Sequence, residues 1–402
     1  MPSEFARHWT LDPSIMFLNH GSFGATPRPV LDAQIAWRDR MEREPVVFFT
    51  RDLEPELDAV RIALGDFIGA DPDDLVLMPN ATAGLNTVAS SLDLVPGDEI
   101  LTTDHAYNAA RNVLEAVARR AGARVVVAAL AFPGTTADTA TELILSAVTP
   151  RTRLVMIDHV TSTTSLVLPV AQIVGALAER GIDTLVDGAH SPGMLDLDVG
   201  SIGAAYYAGN CHKWLCAPKG AGFLHVRRDL HEHVRPLAIS HGANSPRADR
   251  PRFRLEHDWT GTTDPSAYLG VPAAIDFGAG LLEGGWAALR ERNRDVALRG
   301  RDLLCLALGV DAPVPDELVG SMASIALPFE SSARVDDGIA DDELHAALEA
   351  RGIQVMVAPW PMRTDGGRWR RVIRISAAPY VALDDVARLA SALPGAMAAL
   401  AD

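Results

Sequence analysis

Short apolar runs alternate with stretches of helical period until about residue 200. The runs are rich in Val, Ile and Leu and lack strict alternation with polar residues, which is typical of strands buried on both faces. They predict strands at 74–78, 99–103, 124–130, 153–158, 184–187, 204–208 and 222–227. The stretches between them predict helices at 84–92, 109–121, 137–148 and 170–180. This order favours an α/β fold with a mostly parallel seven-stranded sheet between helices.

The pattern changes after residue 227. It then predicts helices at 270–292 and 294–308, a strand at 321–327, a helix at 341–351, a strand at 372–376 and a helix at 383–400. Segments near 132–135 and 358–367 are rich in Pro and Gly and predict loops. We therefore expect a large domain over residues 15–265. A smaller α+β domain would combine residues 1–14 with 266–402.

Polar segments follow several of the predicted strands. Ligands bind at the carboxyl ends of the strands in open parallel sheets, so we expect these segments to lie together at one site. Ordinary turn residues would not supply this set of groups. The segments are Asn80-Ala81-Thr82, Asp104 to Tyr107, His159, Asp187 to His190 and Asn210 to Lys213.

Three of these segments suggest one kind of chemistry. Lys213 precedes Trp214-Leu215 and has a buried stem, and a desolvated lysine is a nucleophile or Schiff-base former. Asp187 could pair with a pyridinium nitrogen. Asn80 to Thr82 opens a helix, whose N-terminus attracts phosphate. A surface lysine and ordinary helix caps are the alternatives taken singly. The combination predicts a pyridoxal-phosphate site.

The sequence also resembles a known family. It looks like the class V aminotransferase group of fold-type I pyridoxal-phosphate enzymes, and within it the isopenicillin N epimerase-like branch. The resemblance extends from about residue 15 to residue 380. The segments that carry it are 17–24 (FLNHGSFG), 80–82 (NAT), 187–190 (DGAH), 210–214 (NCHKW) and 259–264 (WTGTTD).

The resemblance implies roles around the cofactor. Lys213 would hold pyridoxal phosphate covalently and shuttle the α-proton, and Asp187 would pair with the ring nitrogen. His190 would lie beside the phenolic oxygen. Tyr107 would stack on the ring, with His105 as the competing residue. The implied phosphate-binding residues are Ala81, Thr82, Asn210 and His212.

Further roles concern the substrate and a second subunit. Arg374 resembles the arginine that takes the substrate α-carboxylate, because a guanidinium fits a carboxylate with two hydrogen bonds. Asn19, His20 and Ser22 would lie over the substrate. Thr262 would reach the phosphate of the neighbouring subunit, which implies a homodimer with shared active sites.

The resemblance favours epimerisation at Cα of an amino acid or an amino-acid-derived substrate. A pyridoxal-phosphate-dependent C–S β-lyase, acting on a cysteine or cysteine sulfoxide, and an aminotransferase are the alternatives. Epimerisation needs a second acid, for which Tyr107 or His20 could serve. Cysteine desulfurase activity is disfavoured, because segment 357–371 lacks the cysteine that those enzymes carry before the carboxylate arginine.

Composition excludes several other classes. Hydrophobic residues make up 48% and charged residues 22%, as in globular proteins. The formal net charge of −16 disfavours binding to nucleic acid or to an anionic membrane. No apolar run is long enough for a membrane helix, and the N-terminus does not resemble a signal peptide. We therefore expect a cytoplasmic protein.

Other motifs predict no second chemistry. The three cysteines, 211, 216 and 305, form neither a disulfide framework nor a zinc-binding pair. The spacing of His231-Glu232-His233 does not suit a metal site on a helix, so we expect no metal. The basic cluster 368–371 predicts a solvated hairpin or a site for a second substrate carboxylate.

Two other functional classes are weaker. A scaffold without activity is disfavoured by the presence of the full set of chemical groups. A nucleotide-dependent dehydrogenase is disfavoured because no GxGxxG follows the first strand.

Overall fold

The computed structural model of the chain describes residues 3–331, 342–361 and 369–399. Seven of the described strands form one sheet in the order β2-β8-β7-β6-β5-β3-β4. All neighbouring pairs are parallel except those of β8, which is antiparallel to both β2 and β7. The strands are β2 (Leu75–Met78), β3 (Glu99–Thr103), β4 (Arg124–Ala128), β5 (Thr152–Asp158), β6 (Asp183–Gly188), β7 (Tyr206–Asn210) and β8 (Gly222–Val226). The predicted mostly parallel seven-stranded sheet is therefore confirmed.

Helices connect these strands and cover the sheet. The connecting helices are α5 (Ala81–Ser90), α6 (Asn108–Ala121), α7 (Ala137–Ser146), α8 (Val170–Ala178) and α9 (Val199–Ile202). The central strands are buried along their length because helices shield both faces. This burial explains why their sequences read as apolar runs rather than as alternating patterns.

The N-terminal part contains helices that the periodicity analysis did not assign. They are α1 (His20–Phe23), α2 (Arg28–Arg43), α3 (Pro45–Val47) and α4 (Leu53–Ile68), with a π-helical turn at Phe48–Asp52 before α4. Helix α4 ends at Gly69, whose φ of +64° is a left-handed conformation that glycine adopts without strain. Helix α2 contacts α11 (Ser266–Leu269) and α12 (Val271–Leu281), so the N-terminal helices pack on later parts of the chain.

The C-terminal part forms a smaller α+β unit. Its sheet has the order β11-β12-β9, with antiparallel neighbours. The two-residue strands β1 (Met16–Phe17) and β10 (Ile353–Gln354) pair in parallel, so the N-terminal segment joins this unit as far as Phe17. The remaining elements of this unit are β9 (Met322–Ser331), β11 (Met356–Trp360), β12 (Trp369–Ser376), α13 (Gly285–Leu308), α14 (Glu343–Glu349) and α15 (Leu383–Ala398). Helix α10 (Arg252–His257) instead contacts β2 of the large sheet.

Two local predictions in the C-terminal half are wrong. The break between the helices predicted at 270–292 and 294–308 lies instead at residues 282–284, where Gly284 and the following Gly285 both have positive φ. Asn293 is a buried residue inside α13. Segment 358–367 was expected to be a loop, yet its first three residues belong to β11. Proline is tolerated there because β11 is an edge strand of its sheet.

No helix in the described parts of the chain combines the length and apolar character needed to cross a membrane.

Candidate active site

A cavity of about 240 Å³ lies at the carboxyl ends of β5, β6 and β7. Parallel strands place their carboxyl ends at one edge of the sheet, which is why residues distant in sequence meet there. Most of the residues predicted from the sequence line this cavity. They are Ser22, Ala81, Thr82, Tyr107, Asp187, His190, Asn210, His212 and Lys213.

The amine of Lys213 reaches into the cavity next to an imidazole. Its Nζ lies 3.2 Å from Nε2 of His190. Burial, helped by the positive charge of Arg374, lowers the pKa of Lys213 to about 8. About a tenth of the amine is therefore neutral and nucleophilic at pH 7 and about half at pH 8, far more than for an ordinary lysine.

His190 is oriented by a neighbouring indole. The Nε1–H of Trp214 donates to Nδ1 of His190 at 3.4 Å, so the hydrogen of the neutral ring is on Nε2, facing Lys213. Burial, together with the charge of Lys213, holds the pKa of His190 well below its usual value. His190 is thus a neutral hydrogen-bond donor beside the amine.

Asp187 supplies a buried carboxylate at the end of β6. Its Oδ1 accepts the backbone N–H of Ala189 at 3.0 Å. Burial raises its pKa, whereas the Ala189 hydrogen bond and the charge of Lys213 act in the opposite direction. A cationic ring nitrogen is the kind of partner that would complete this environment.

The N-terminus of α5 also contributes to the cavity, because Asn80, Ala81 and Thr82 line it. Asn80 caps the helix, because its Oδ1 accepts the N–H of Ala83 at 2.9 Å. Oδ1 of Asn210 accepts the N–H of Ala81 at 2.8 Å, which ties the helix to the end of β7. The partial positive charge of the helix end suits a phosphate.

His212, which precedes Lys213 in the sequence, also lines the cavity. Its Nδ1 donates to the carbonyl of Ala221 at 3.1 Å, so Nε2 is the nitrogen left for a ligand. Burial lowers the pKa of His212 to about 4. The ring is therefore neutral in the protein without a bound anion.

Arg374 is completely buried beside the cavity. Its guanidinium donates to the carbonyl of Ser162 at 2.6 Å, to Oδ1 of Asn19 at 3.1 Å and to Oγ of Ser22 at 3.0 Å. Among the described residues, no carboxylate forms an ion pair with Arg374, and its Nε has no partner. A buried cation without a counter-ion favours an anionic ligand.

The position of His20 differs from the expectation. It is fully buried, Nδ1 bonds to the hydroxyl of Tyr380 at 2.7 Å and Nε2 to the carbonyl of Lys213 at 2.9 Å. Both ring nitrogens are therefore engaged with Tyr380 and with the backbone of Lys213, and His20 is not among the residues that line the cavity. Burial also lowers the pKa of His20 to about 4.

The structure separates the two candidates for the ring-stacking residue. Tyr107 lines the cavity and is 43% exposed. His105 is buried, bonds to Oγ1 of Thr164 and the carbonyl of Leu130, and packs its ring 4.2 Å from that of Trp360. His105 thus belongs to the packing beneath the site.

Other predicted features lie away from the cavity. Thr262 is exposed on a loop and does not line the cavity of its own chain. In the basic cluster, Arg371 is buried and pairs with Asp342 at 2.7 Å, so it is not available for a substrate carboxylate. Arg368 lies outside the described residues. His231 contacts Asp74 and stacks on Phe253.

The cysteines are buried. Burial raises the pKa of the Cys211 and Cys216 thiols to about 12, so both are protonated at neutral pH. Cys305 is also buried.

Asp158 lines the cavity but was missed by the sequence analysis, which selected the next residue, His159. His159 points into the packing beneath and bonds to the hydroxyl of Tyr207 at 2.7 Å. The signal was present in the alternation of β5, because Leu154, Met156 and Asp158 share one face of the strand. Asp158 is also the register partner of Asp187.

Comparisons with known proteins agree with this geometry. The family described as aminotransferase class-V matches residues 27–389. The chain is 38% identical to an isopenicillin N epimerase of Streptomyces clavuligerus, covering 95% of each sequence. It is 34% identical to a putative L-cysteine desulfhydrase of rice, covering 84% of this chain and 71% of that protein. A cysteine desulfurase structure from Escherichia coli has the same fold, with a TM-score of 0.78 over 98% of both chains at 22% identity.

Proposed function

The chain belongs to the class-V aminotransferase family and is a pyridoxal-phosphate-dependent enzyme, and from this premise we propose that it epimerises the α-carbon of an amino-acid-derived substrate. The observation that carries the proposal is the cavity in which Lys213, His190 and Asp187 meet beside a helix N-terminus. The higher identity to isopenicillin N epimerase than to the desulfhydrase supports epimerisation.

The residues present fit the cofactor. Asp187 suits the ring nitrogen, Lys213 the aldehyde carbon and His190 the phenolic oxygen. The phosphate would be bound by the helix N-terminus and by the free Nε2 of His212, which both face the cavity lining. The residues proposed for this role are Ala81, Thr82, Asn210 and His212. Tyr107, which lines the cavity, is proposed to cover the ring. When bound, pyridoxal phosphate supplies a ring that accepts the electron pair released at Cα.

Lys213 is proposed as the base that takes the α-proton. Its lowered pKa of about 8 makes the amine neutral often enough to accept a proton near neutral pH. His190, whose Nε2 lies 3.2 Å away, contacts the amine and so keeps it oriented. The same lysine, once protonated, returns a proton to Cα.

Epimerisation also needs an acid that reaches the other face of Cα. Tyr107 is the proposed acid, because it lines the cavity and carries a phenolic hydroxyl. His20 is unsuited to this role because both of its ring nitrogens are bonded behind Lys213.

Arg374 is proposed to bind the substrate α-carboxylate, with Asn19 and Ser22 holding the guanidinium in place. Fixing this carboxylate fixes the position of Cα relative to Lys213, which is the positional requirement for proton transfer.

A C–S β-lyase is the second candidate. The 34% identity to a putative L-cysteine desulfhydrase over most of this chain supports it. The aminotransferase alternative has no comparable support. Desulfurase chemistry stays disfavoured, since segment 357–371 contains no cysteine.

The deciding experiment is incubation of the loaded enzyme with a panel of amino acids in deuterated water. Deuterium at Cα with inverted configuration supports epimerisation. Release of pyruvate and ammonia would replace it with the lyase assignment, and a requirement for a keto acid would indicate an aminotransferase.

A tyrosine variant tests the second acid. Tyr107→Phe keeps the aromatic ring and removes the hydroxyl, so inversion should fall by roughly 100-fold or more, the range for loss of a general acid. Exchange of the α-proton with retained configuration, which needs only Lys213, should persist. Equal losses of inversion and of exchange would contradict the assignment.

A further inference from the structure

Two aspartates lie side by side on the floor of the cavity. Asp158 and Asp187 are register partners at the ends of the parallel strands β5 and β6. Register partners on adjacent parallel strands point to the same face, and the strands lie about 4.8 Å apart. Both side chains are buried and both line the cavity. The two carboxyl groups are therefore within range of strong mutual repulsion.

The surroundings of Asp158 offer little to stabilise a second negative charge. Oδ2 of Asp158 has no hydrogen-bond partner among the described residues. Lys213 is the cation that acts on both Asp158 and Asp187. The other titratable groups of the cavity lining are Tyr107, His190 and His212, none of which adds a positive charge at neutral pH.

The pair is asymmetric. Asp187 accepts a hydrogen bond from Ala189, which favours its ionised form. Burial and the neighbouring charge of Asp187 both raise the pKa of Asp158, and they raise it well above its usual range. A single proton shared by two close carboxyl groups is the expected consequence, as for other buried carboxyl pairs.

We propose that Asp158 is a neutral carboxylic acid in the folded protein and donates a hydrogen bond to Asp187, which carries the only negative charge of the pair. Resting on the proposed cofactor site, this inference makes Asp158 a positioning residue that acts on the ring nitrogen through Asp187.

Infrared spectroscopy of the full-length protein tests the protonation state directly. The carbonyl stretch of a protonated carboxylic acid should be present at pH 7–8, with and without cofactor, and Asp158→Asn should remove it. Asp183→Asn is the matched control, because Asp183 lies at the other end of β6 in an exposed ion pair with Arg227. A spectrum in which Asp158→Asn removes no acid band overturns the proposal. This readout does not depend on which reaction the enzyme catalyses.

Cofactor affinity tests the hydrogen bond. Asp158→Asn keeps a neutral donor, so its affinity for pyridoxal phosphate should stay within about threefold of the wild type. Asp158→Leu removes the donor and should weaken binding by at least about tenfold, the size expected for a lost hydrogen bond to a charged group. If Asp158→Asn binds as weakly as Asp158→Leu, the negative charge of Asp158 is what matters and the proposal fails.

Discussion

The amine of Lys213 and the imidazole of His190 lie 3.2 Å apart in surroundings that disfavour charge. Burial lowers the pKa of both groups, and Arg374 adds to the effect at each. The same desolvation acts in the opposite direction on Asp187 and Asp158, whose pKa values it raises. At the scale of single residues, burial therefore shifts the pKa of each of these groups toward its neutral form, although Lys213 with a pKa of about 8 is still mostly charged at pH 7 and Asp187 is the proposed anion.

The reactivity of Lys213 should show this shift. With a pKa of about 8, the rate at which the cofactor-free protein captures pyridoxal phosphate should rise about tenfold per pH unit up to about pH 8 and then level off. Stopped-flow absorbance measures the rate. The rate with free Nα-acetyl-lysine, measured over the same pH range, corrects for the titration of the cofactor itself. A rate that keeps rising to pH 10 would indicate an ordinary lysine.

Arg374 should act mainly on substrate binding. Arg374→Lys loses the fork that fits a carboxylate and the bonds to Ser162 and Ser22, so KM should rise roughly 10- to 100-fold. Steady-state kinetics measures this change. The wild type should have a higher KM for an analogue without the α-carboxylate than for the substrate, and this difference should largely disappear in the variant. Arg301→Lys is the control, since Arg301 is a buried arginine that pairs with Asp302 and Asp316. An unchanged KM would argue against carboxylate binding.

At the scale of elements, α5 joins fold stability to the site. Asn80 starts the helix, Asn210 holds its first residue, and Gly84 lets it approach β7, where an added Cβ would lie 3.0 Å from Cβ of Ala208. The helix N-terminus therefore reaches the cavity only because its packing against the sheet is close. The capping hydrogen bonds of α5 and its close packing on the sheet together position the helix N-terminus that we propose to bind the phosphate.

Two capping variants separate these contributions. Asn80→Ala should lower the free energy of unfolding by about 1 kcal/mol, because a side-chain cap is lost, and should also weaken cofactor binding. Thr136→Ala, at the N-cap of α7 away from the cavity, should cost about as much stability without changing cofactor affinity. Denaturant unfolding and cofactor titration check the pair. Equal cofactor affinities in the two variants would show that the N-terminus of α5 does not contribute to cofactor binding.

At the scale of the whole molecule, Thr262 is exposed and lies outside the cavity of its own chain. If two copies share their sites, as the family resemblance implies, Thr262 serves the partner's phosphate. The functional unit would then be a dimer rather than the single chain.

Mixing two inactive variants tests the shared site. Lys213→Ala lacks the base, and Thr262→Asp would repel the phosphate by charge. In a mixed dimer, the site with an intact Lys213 would receive an intact Thr262 from the other subunit, so activity and tight cofactor binding should return. If Thr262 acts within its own chain, both sites of the mixed dimer stay defective and no recovery occurs.

Much of the architecture follows from local patterns in the sequence. The strands of the large sheet are buried on both faces, so their apolar composition marks them directly, and the predicted sheet is confirmed. The N-terminal helices and β11 were missed. Helix α2 has a long polar face, and β11 contains a proline that only its edge position tolerates.

The candidate site was likewise predictable from the sequence only in part. The spacing of Lys213 and Asp187 after two buried strands was sufficient to place them at one edge of the sheet, because parallel strands end together. The burial of His20 behind the lysine and the pairing of Asp158 with Asp187 depend on strand register and on contacts between distant segments. Local sequence carries no information on such contacts, since their distances arise only when the sheet is assembled and water is excluded from it.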